Sequence, residues 1–413
     1  MQQNIDNIKF ITGNAEVLKN ISKVPVHRML DERVIEFLGA LSSRILKDKR
    51  TKEYPDVISY AFWIRKSSLM KMKKEYNSPY QRIGRGVALH IAPSNVPVNF
   101  AVSFTSALLA GNASVVRVSN KEFVQVDIIA DALNALYQEE YADMEKYLVL
   151  IRYEHSEEIT QMLTDICDLR IIWGGNQTIN IIRKAKLPPR AIEMAFSDRH
   201  SLALINADEY LKQDPEEFAR GFYTDTYYTD QNACSSPRIV IWMGQEIEKA
   251  KTIFWKSLQE LVKKDYDFAP ILAIDKLNEL CRLSAHHTGI HDEGMDNVVK
   301  RVKVDELTKD LMDYKTGGGY FFEYDAKELR DIIPLLSKAC QTISYFGVEP
   351  QQIAELTLEP DVKGIDRVVP IGHTMDLAFI WDGYHMIETM TRIVYICLLY
   401  TSPSPRDMRR TRM

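Results

Sequence analysis

The chain has 413 residues, 46% apolar and 26% charged, with a net charge of −5. That length exceeds one ordinary hydrophobic core, so two or three lobes are expected. The mild acidity gives no electrostatic reason to expect nucleic-acid binding, and no apolar run reaches the roughly 18 residues of a membrane span, so no integral membrane segment is expected.

Residues 1–29 read as a short extended entry. Val34, Ile35, Leu38, Leu41 and Ile45 recur at helical spacing and predict a helix over 31–49. Pro55 and Asp56 open a second helix, predicted over 55–76, with Lys71, Lys73 and Lys74 suiting its C-terminal end. The pattern changes at Arg82. A glycine-punctuated turn precedes a buried strand over 87–91, ended by Pro93, and the loop SNVPVNF opens a close-packing helix over 98–109 stopped at Gly111. Strands over 113–119, 147–151 and 169–173 alternate with helices over 128–137 and 157–163, and Gly174-Gly175-Asn176 opens another helix. Buried strands alternating with helices make a parallel, doubly wound sheet, whose ligands sit at the carboxyl ends of its strands. Those ends are residues 90–95, 117–119 and 173–176.

Beyond them the pattern predicts a strand over 202–205, a helix over 215–229 and a strand over 238–242. Helices over 246–263 and 269–285 follow, then strands over 320–324 and 342–346 and helices over 350–358 and 384–394. Composition puts a lobe boundary near residue 205. Residues 1–205 are expected to form a cofactor lobe with its N-terminal helices, and 206–370 a cysteine-bearing lobe. Residues 371–395 are expected to return to the first lobe or to an oligomer interface. The last residues, 396–413, are proline- and serine-punctuated and then basic, and resemble translated adapter sequence; they are expected to be foreign to the natural chain.

The five cysteines are scattered, with no CxxC and no His/Cys ligand spacing. A reducing, cytoplasmic location without a disulfide framework or a metal site is expected. The N-terminus lacks a basic segment followed by an apolar run, so no signal peptide is expected. Cys234 stands apart. It lies in YTDTYYTDQNACSSPR, among hydroxyls and amides rather than apolar neighbours. Such a segment presents a thiol at a pocket mouth and surrounds it with N–H groups, which can lower its pKa and stabilise an oxyanion. Asn95, in a strand-to-helix loop, is either an oxyanion donor or a helix cap. Arg117 and Ser119, at a strand end, are candidates for a ribose or 2′-phosphate, and Gly174-Gly175 for a phosphate at a helix start. His90 is read as filling a polar strand end, and His200 as a candidate proton carrier.

The order of these features is informative. GRGVALHIAPSNVP, RVSNKE, WGG, DQNACSSPR, QTISYFGVEP, GIDRVVPIG and WDGY span residues 84–384. In that order they resemble the aldehyde dehydrogenase superfamily, and more closely its acyl-CoA reductase branch of the LuxC type. The resemblance implies two doubly wound parallel-sheet lobes, one for cofactor and one for catalysis. It implies NADPH-dependent reduction of a fatty acyl-CoA or acyl-protein thioester to the aldehyde. On that likeness Cys234 would be the nucleophile and Asn95, with the Cys234 N–H, the oxyanion hole. Arg117 and Ser119 would face the adenosine ribose of NADPH, and Gly174 and Gly175 its phosphates. An acyl-activating ligase or thioesterase as partner, and a homo-oligomer, are also implied. The sequence departs from the superfamily at 195–201, AFSDRHS, where hydrolytic members carry a water-activating glutamate; Glu193 is near but out of register. The other readings are an aldehyde-oxidising dehydrogenase and a non-catalytic acyl-carrying subunit of a fatty acid reductase complex.

Overall fold

A computed structural model describes residues 5–78, 80–294 and 296–396. Apart from Ile396, the tail expected to be foreign lies outside these residues. The first lobe begins with strand β1 (Lys9–Thr12), then α1 (Glu32–Lys47), α2 (Pro55–Trp63) and α3 (Lys66–Glu75). The single helix predicted over 55–76 is broken at Arg65, whose backbone is extended (φ −56°, ψ 140°). The break lets Ile64 and Leu69 both bury against α1, which one straight helix would not allow.

Strands β2 (Gln81–Gly84) and β3 (Val87–Ile91) lead to α4 (Asn99–Leu109), then β4 (Ala113–Arg117), α5 (Val124–Gln138) and β5 (Leu148–Arg152). Helix α6 (Glu157–Asp165), β6 (Leu169–Trp173), α7 (Asn176–Ile182) and β7 (Ile192–Phe196) complete the lobe. The sheet order is β1-β5-β4-β3-β6-β7, parallel except for β1. Strand order reverses between β3 and β6, so the crevice at their carboxyl ends is the ligand position of a doubly wound sheet.

The second lobe carries β8 (His200–Asn206), α8 (Pro215–Thr226), β9 (Pro237–Met243), α9 (Ile247–Asp265) and α10 (Ile271–His286). Strands β10 (Ile290–Asp292), β11 (Lys300–Val304), β12 (Tyr320–Asp325) and β13 (Cys340–Phe346), helix α11 (Pro350–Leu356) and β14 (Arg367–Pro370) follow. Their order is β10-β11-β12-β9-β8-β13-β14, parallel except for β10. Because β8 already belongs to this sheet, the chain crosses between sheets at 197–199, and the boundary expected near 205 falls inside a strand. Three residues span about 10 Å at most. β8 therefore starts where β7 stops, and the carboxyl ends of the first sheet meet the amino ends of the second.

The helix predicted over 384–394 is replaced by other structure. β15 (Ile380–Trp381) and β16 (Tyr384–His385) form a hairpin, α12 (Met386–Thr389) is one turn, and β17 (Thr391–Val394) pairs with β2. Met386, Ile387 and Met390 join the first lobe's core, so this segment returns to that lobe. Eleven residues of mixed pattern do not separate a helix from a turn and strand; the free edge of β2 decides it. No helix among the described residues is long and apolar enough to cross a membrane.

Candidate active site

The cysteine loop is held from behind. After α8 the backbone enters the left-handed region at Asp230 (φ 51°) and Gln231 (φ 60°). Gln231 is buried and all its amide capacity is used. Its Nε2 donates to the carbonyls of Pro237 (2.9 Å) and Tyr320 (3.1 Å), and its Oε1 accepts from Gly319 N–H (3.0 Å) and Tyr320 N–H (3.1 Å). This ties the loop to the starts of β9 and β12. Gly319 has φ 89°, and a Cβ there would lie 2.2 Å from Tyr227 Oη and 2.3 Å from the Val298 carbonyl. The glycine run 317–319 clears space for the loop.

Cys234 is half-buried at the amino end of β9. Its carbonyl accepts from Ser201 Oγ (2.7 Å) on β8. Gln341 Nε2, on β13, donates to its Sγ at 3.2 Å and also to Asp382 Oδ1. Asp382 accepts from Arg199 (3.2 Å), which in turn donates to Asp366 and to the Cys340 carbonyl (2.5 Å). Four chain segments thus meet at the thiol. Burial pushes the Cys234 thiol up to about 12 and the Asp382 carboxylate adds to the rise; the Gln341 amide, Arg199 and the Cys234 N–H pull it back. The lowered pKa that the polar sequence allows is therefore corrected. The loop residues are polar, but the half-buried thiol has too few donors around it to offset the loss of hydration.

The thiol opens on a cavity of about 1070 Å³ between the lobes. Asn95 lies on its first-lobe wall and donates from Nδ2 to the Asn232 carbonyl (3.3 Å), two residues before the thiol. Gly174 and Gly175 line the same cavity at the carboxyl end of β6, and a Cβ at Gly175 would meet nothing within 4 Å. Asn99 also lines it, and its Oδ1 is buried without a hydrogen-bond partner among the described residues. Phe62, Trp63, Phe123, Leu377 and Trp381 give the cavity an apolar side.

Not every candidate reaches this space. Arg117 and Ser119 are outside its lining: the Arg117 guanidinium stacks over the Tyr153 ring (4.8 Å), and Ser119 Oγ accepts from Lys121 N–H (3.1 Å). His200 is buried outside the lining, and burial and then Lys315 depress its pKa to about 4. His90 is buried between Ser103 Oγ (2.7 Å) and Ser114 Oγ (3.3 Å), as its strand-end reading implies. Glu193 pairs with the buried Arg170 (2.5 Å) and with Arg183 (2.7 Å) and is not among the residues lining the cavity.

No role at the thiol was read from the sequence for Gln341, Asp382 or Arg199, although Gln341 opens QTISYFGVEP and Asp382 lies in WDGY, two motifs that carry the resemblance. Asp382 had a readable signal. Asp382-Gly383, both at positive φ (47° and 73°), is the two-residue turn of the β15–β16 hairpin, and Asp-Gly between Trp381 and Tyr384 is a strong hairpin signature. Nothing local marks Gln341 or Arg199, because their roles arise from strands distant in sequence.

The family model for acyl-CoA reductase (LuxC) matches residues 9–304. A long-chain acyl-protein thioester reductase of Photorhabdus luminescens is 24% identical over 310 residues, 73% of this chain and 61% of that protein. The enzyme of that name from Aliivibrio fischeri is 28% identical over 167 residues, 40% of this chain and 33% of the relative. The chain thus spans between a third and three fifths of the length of these curated relatives. Among solved structures, lactaldehyde dehydrogenase from Escherichia coli superposes with a TM-score of 0.66 at 12% identity, over 96% of this chain and 90% of that one. Glyceraldehyde-3-phosphate dehydrogenase GapN from Methanocaldococcus jannaschii, complexed with NADP, gives 0.64 at 12% identity over 95% and 92%. The fold is that of the aldehyde dehydrogenases.

Proposed function

Since the chain belongs to the acyl-CoA reductase (LuxC) family, we propose that it reduces a long-chain fatty acyl thioester to the aldehyde, using NADPH and an acyl group carried on Cys234. The observation that carries this reading is the Cys234 thiol facing a cavity shared by both lobes, with the Asn95 amide bonded to the loop two residues before it. The curated relatives' name supports an acylated protein as donor; acyl-CoA as the other source, and an acyl-activating ligase or thioesterase supplying the donor, are part of the proposal. A cytoplasmic homo-oligomer is part of the same proposal.

The first-lobe wall fits a dinucleotide. Asn99 Oδ1 is an unspent buried acceptor, and Gly175 leaves open space where a side chain would stand. Gly174, Gly175 and Asn99 would hold the phosphate and ribose part. Arg117, whose Nε is buried without a partner among the described residues, and Ser119 would serve the adenosine ribose beyond the cavity. When bound, the cofactor supplies a hydride.

The chain's residues supply the rest. Cys234 Sγ loses its proton and attacks the thioester carbon; a C–S bond forms to Cys234, the donor's C–S bond breaks, and the donor thiol leaves with the proton. Asn95 Nδ2 and the Cys234 N–H stabilise the carbonyl oxygen as it gains charge. With the hydride that the cofactor would supply, the acyl carbon would be released from Cys234 as the aldehyde, and the Cys234 thiolate would take up a proton. Between the two halves the acyl group must escape water. Glu193, held by Arg170 and Arg183, is not free to act as a water-activating base, which supports reduction over oxidation of an aldehyde. The apolar side formed by Phe62, Trp63 and Phe123 suits a fatty chain.

Intact-protein mass spectrometry tests this. Incubation with acyl-CoAs of graded length should add one acyl mass, absent in Cys234→Ala, and NADPH should remove it with release of aldehyde. An adduct that persists in NADPH, with no aldehyde formed, would make the chain an acyl carrier instead. NADH removing the adduct as fast as NADPH would reassign the cofactor.

A further inference from the structure

We propose that Gln341 is a catalytic residue of the thiol chemistry, and that Asp382 and Arg199 are its positioning residues. The carboxylate of Asp382 fixes which end of the Gln341 amide meets the sulfur.

The geometry supports this step by step. An amide nitrogen has two hydrogens, and Gln341 Nε2 spends one on Cys234 Sγ (3.2 Å) and one on Asp382 Oδ1. An ionised carboxylate only accepts, so it must face the NH₂ end of the amide. The same nitrogen then faces the sulfur and donates to it. With the amide turned over, Oε1 would meet the sulfur, and the thiol would have to remain protonated to donate. Asp382 thus selects the orientation that favours thiolate.

Asp382 is itself fixed from three sides. It sits in a tight Asp-Gly turn at φ 47°, its side chain is only 6% exposed, and Arg199 bonds it at 3.2 Å. Arg199 is held in turn by Asp366 and the Cys340 carbonyl, the residue before Gln341. Burial raises the Asp382 pKa overall, and the Gln341 amide and Arg199 pull it back toward the ionised form. The charged groups around the thiol are Asp382 at the hairpin turn, Arg199 on the crossing between sheets, Asp366 and Arg367 at the start of β14, and Arg238 on β9. A buried carboxylate this close would otherwise repel a thiolate. The amide between them is what makes the two anions compatible.

The test is alkylation of Cys234 by iodoacetamide across pH in the full chain, read at the Cys234 peptide by mass spectrometry. It uses neither acyl donor nor NADPH. Failure of acyl transfer would therefore overturn the function proposed above while leaving this inference standing or falling on its own data. Gln341→Met keeps the bulk and removes the donor; at pH 8, well below the thiol's midpoint, the rate should fall about tenfold. Asp382→Asn keeps the size, relieves the carboxylate's repulsion of the thiolate and lets the amide turn; on this proposal the turned amide outweighs the relief and the rate falls about threefold or more, whereas a faster rate would overturn it. The double variant should be no slower than Gln341→Met, because the two act as one unit. Arg199→Lys should retain most of the rate. Unchanged profiles in Gln341→Met and Asp382→Asn, or fully additive losses in the double variant, would overturn the proposal. Should Gln341→Met not fold, the Asp382→Asn profile decides alone.

Discussion

Two buried polar clusters stand on either side of the cavity, and they differ in kind. In the first lobe His90 lies between two serine hydroxyls, and Trp173 Nε1 donates to one of them, Ser103 Oγ, at 3.0 Å. That cluster is neutral, enclosed by α4, β3, β4 and β6, and both ring nitrogens are occupied. Where the second lobe meets the crossing and the hairpin at 380–385, the cluster of Cys234, Gln341, Asp382 and Arg199 is charged, spread over four distant segments, and open on the cavity. Burial of a polar group therefore does not mark function. What marks it is hydrogen-bonding capacity still facing a space that a ligand can enter.

The comparison breaks most visibly at the thiol. Cys234→Ala should lower reduction by more than about a thousandfold with the fold intact, measured as NADPH oxidation with acyl-CoA. Retained activity would place the chemistry elsewhere. A smaller but general effect is expected behind the loop. Gln231→Leu strands the partners at Pro237, Gly319 and Tyr320, and should cost about 3 kcal/mol in urea unfolding, with activity falling alongside.

Glu193→Gln should destabilise by about 2 kcal/mol, since it leaves the buried Arg170 without its anion. Turnover of the protein that remains folded should change less than twofold, whereas a large loss would restore Glu193 as a catalytic base. The first-lobe cluster is expected to show itself through pH instead. Burial depresses His90 to about 3, below the ordinary 6.5. Its contribution to stability is present above pH 6.5 and is lost as pH falls toward 3. His90→Gln should cost about 1 kcal/mol at pH 7, lessen the acid-induced loss between pH 6.5 and 3, and leave the pH profile of Cys234 alkylation unmoved. The smallest effect is expected at His200, depressed to about 4 by burial and then Lys315. His200→Gln should change turnover at pH 7 less than twofold; a large loss would restore it as a proton carrier.

How much of this was legible follows the range of the interactions. The strand over 87–91 and the strand over 169–173 were read to the residue, because a buried parallel strand is a continuous apolar run whatever surrounds it. Strand β11, KRVKV, was not read, since its charged residues hide a strand whose Val302 and Val304 alone are buried. Asn95, Gly174, Gly175 and Cys234 announced themselves through loop chemistry and order, and the structure brings them to one cavity. Arg117 and Ser119 shared the same local signal, yet their side chains turn to Tyr153 and Lys121 outside it. Local sequence sets where a strand ends, not which of its neighbours claims the last side chain.

The sequence by itself determined the alternation of strands and helices, the two parallel sheets and the polar loop bearing Cys234, because these depend on apolar period and turn chemistry within a few residues. Only the tertiary structure decided the state of the thiol. Its burial, the amide from β13 and the carboxylate from the hairpin at residue 382 come from segments more than a hundred residues away. The three-residue crossing at 197–199 sets them together by laying the amino ends of one sheet against the carboxyl ends of the other. A pKa is a property of surroundings, and these surroundings exist only once the two sheets have met.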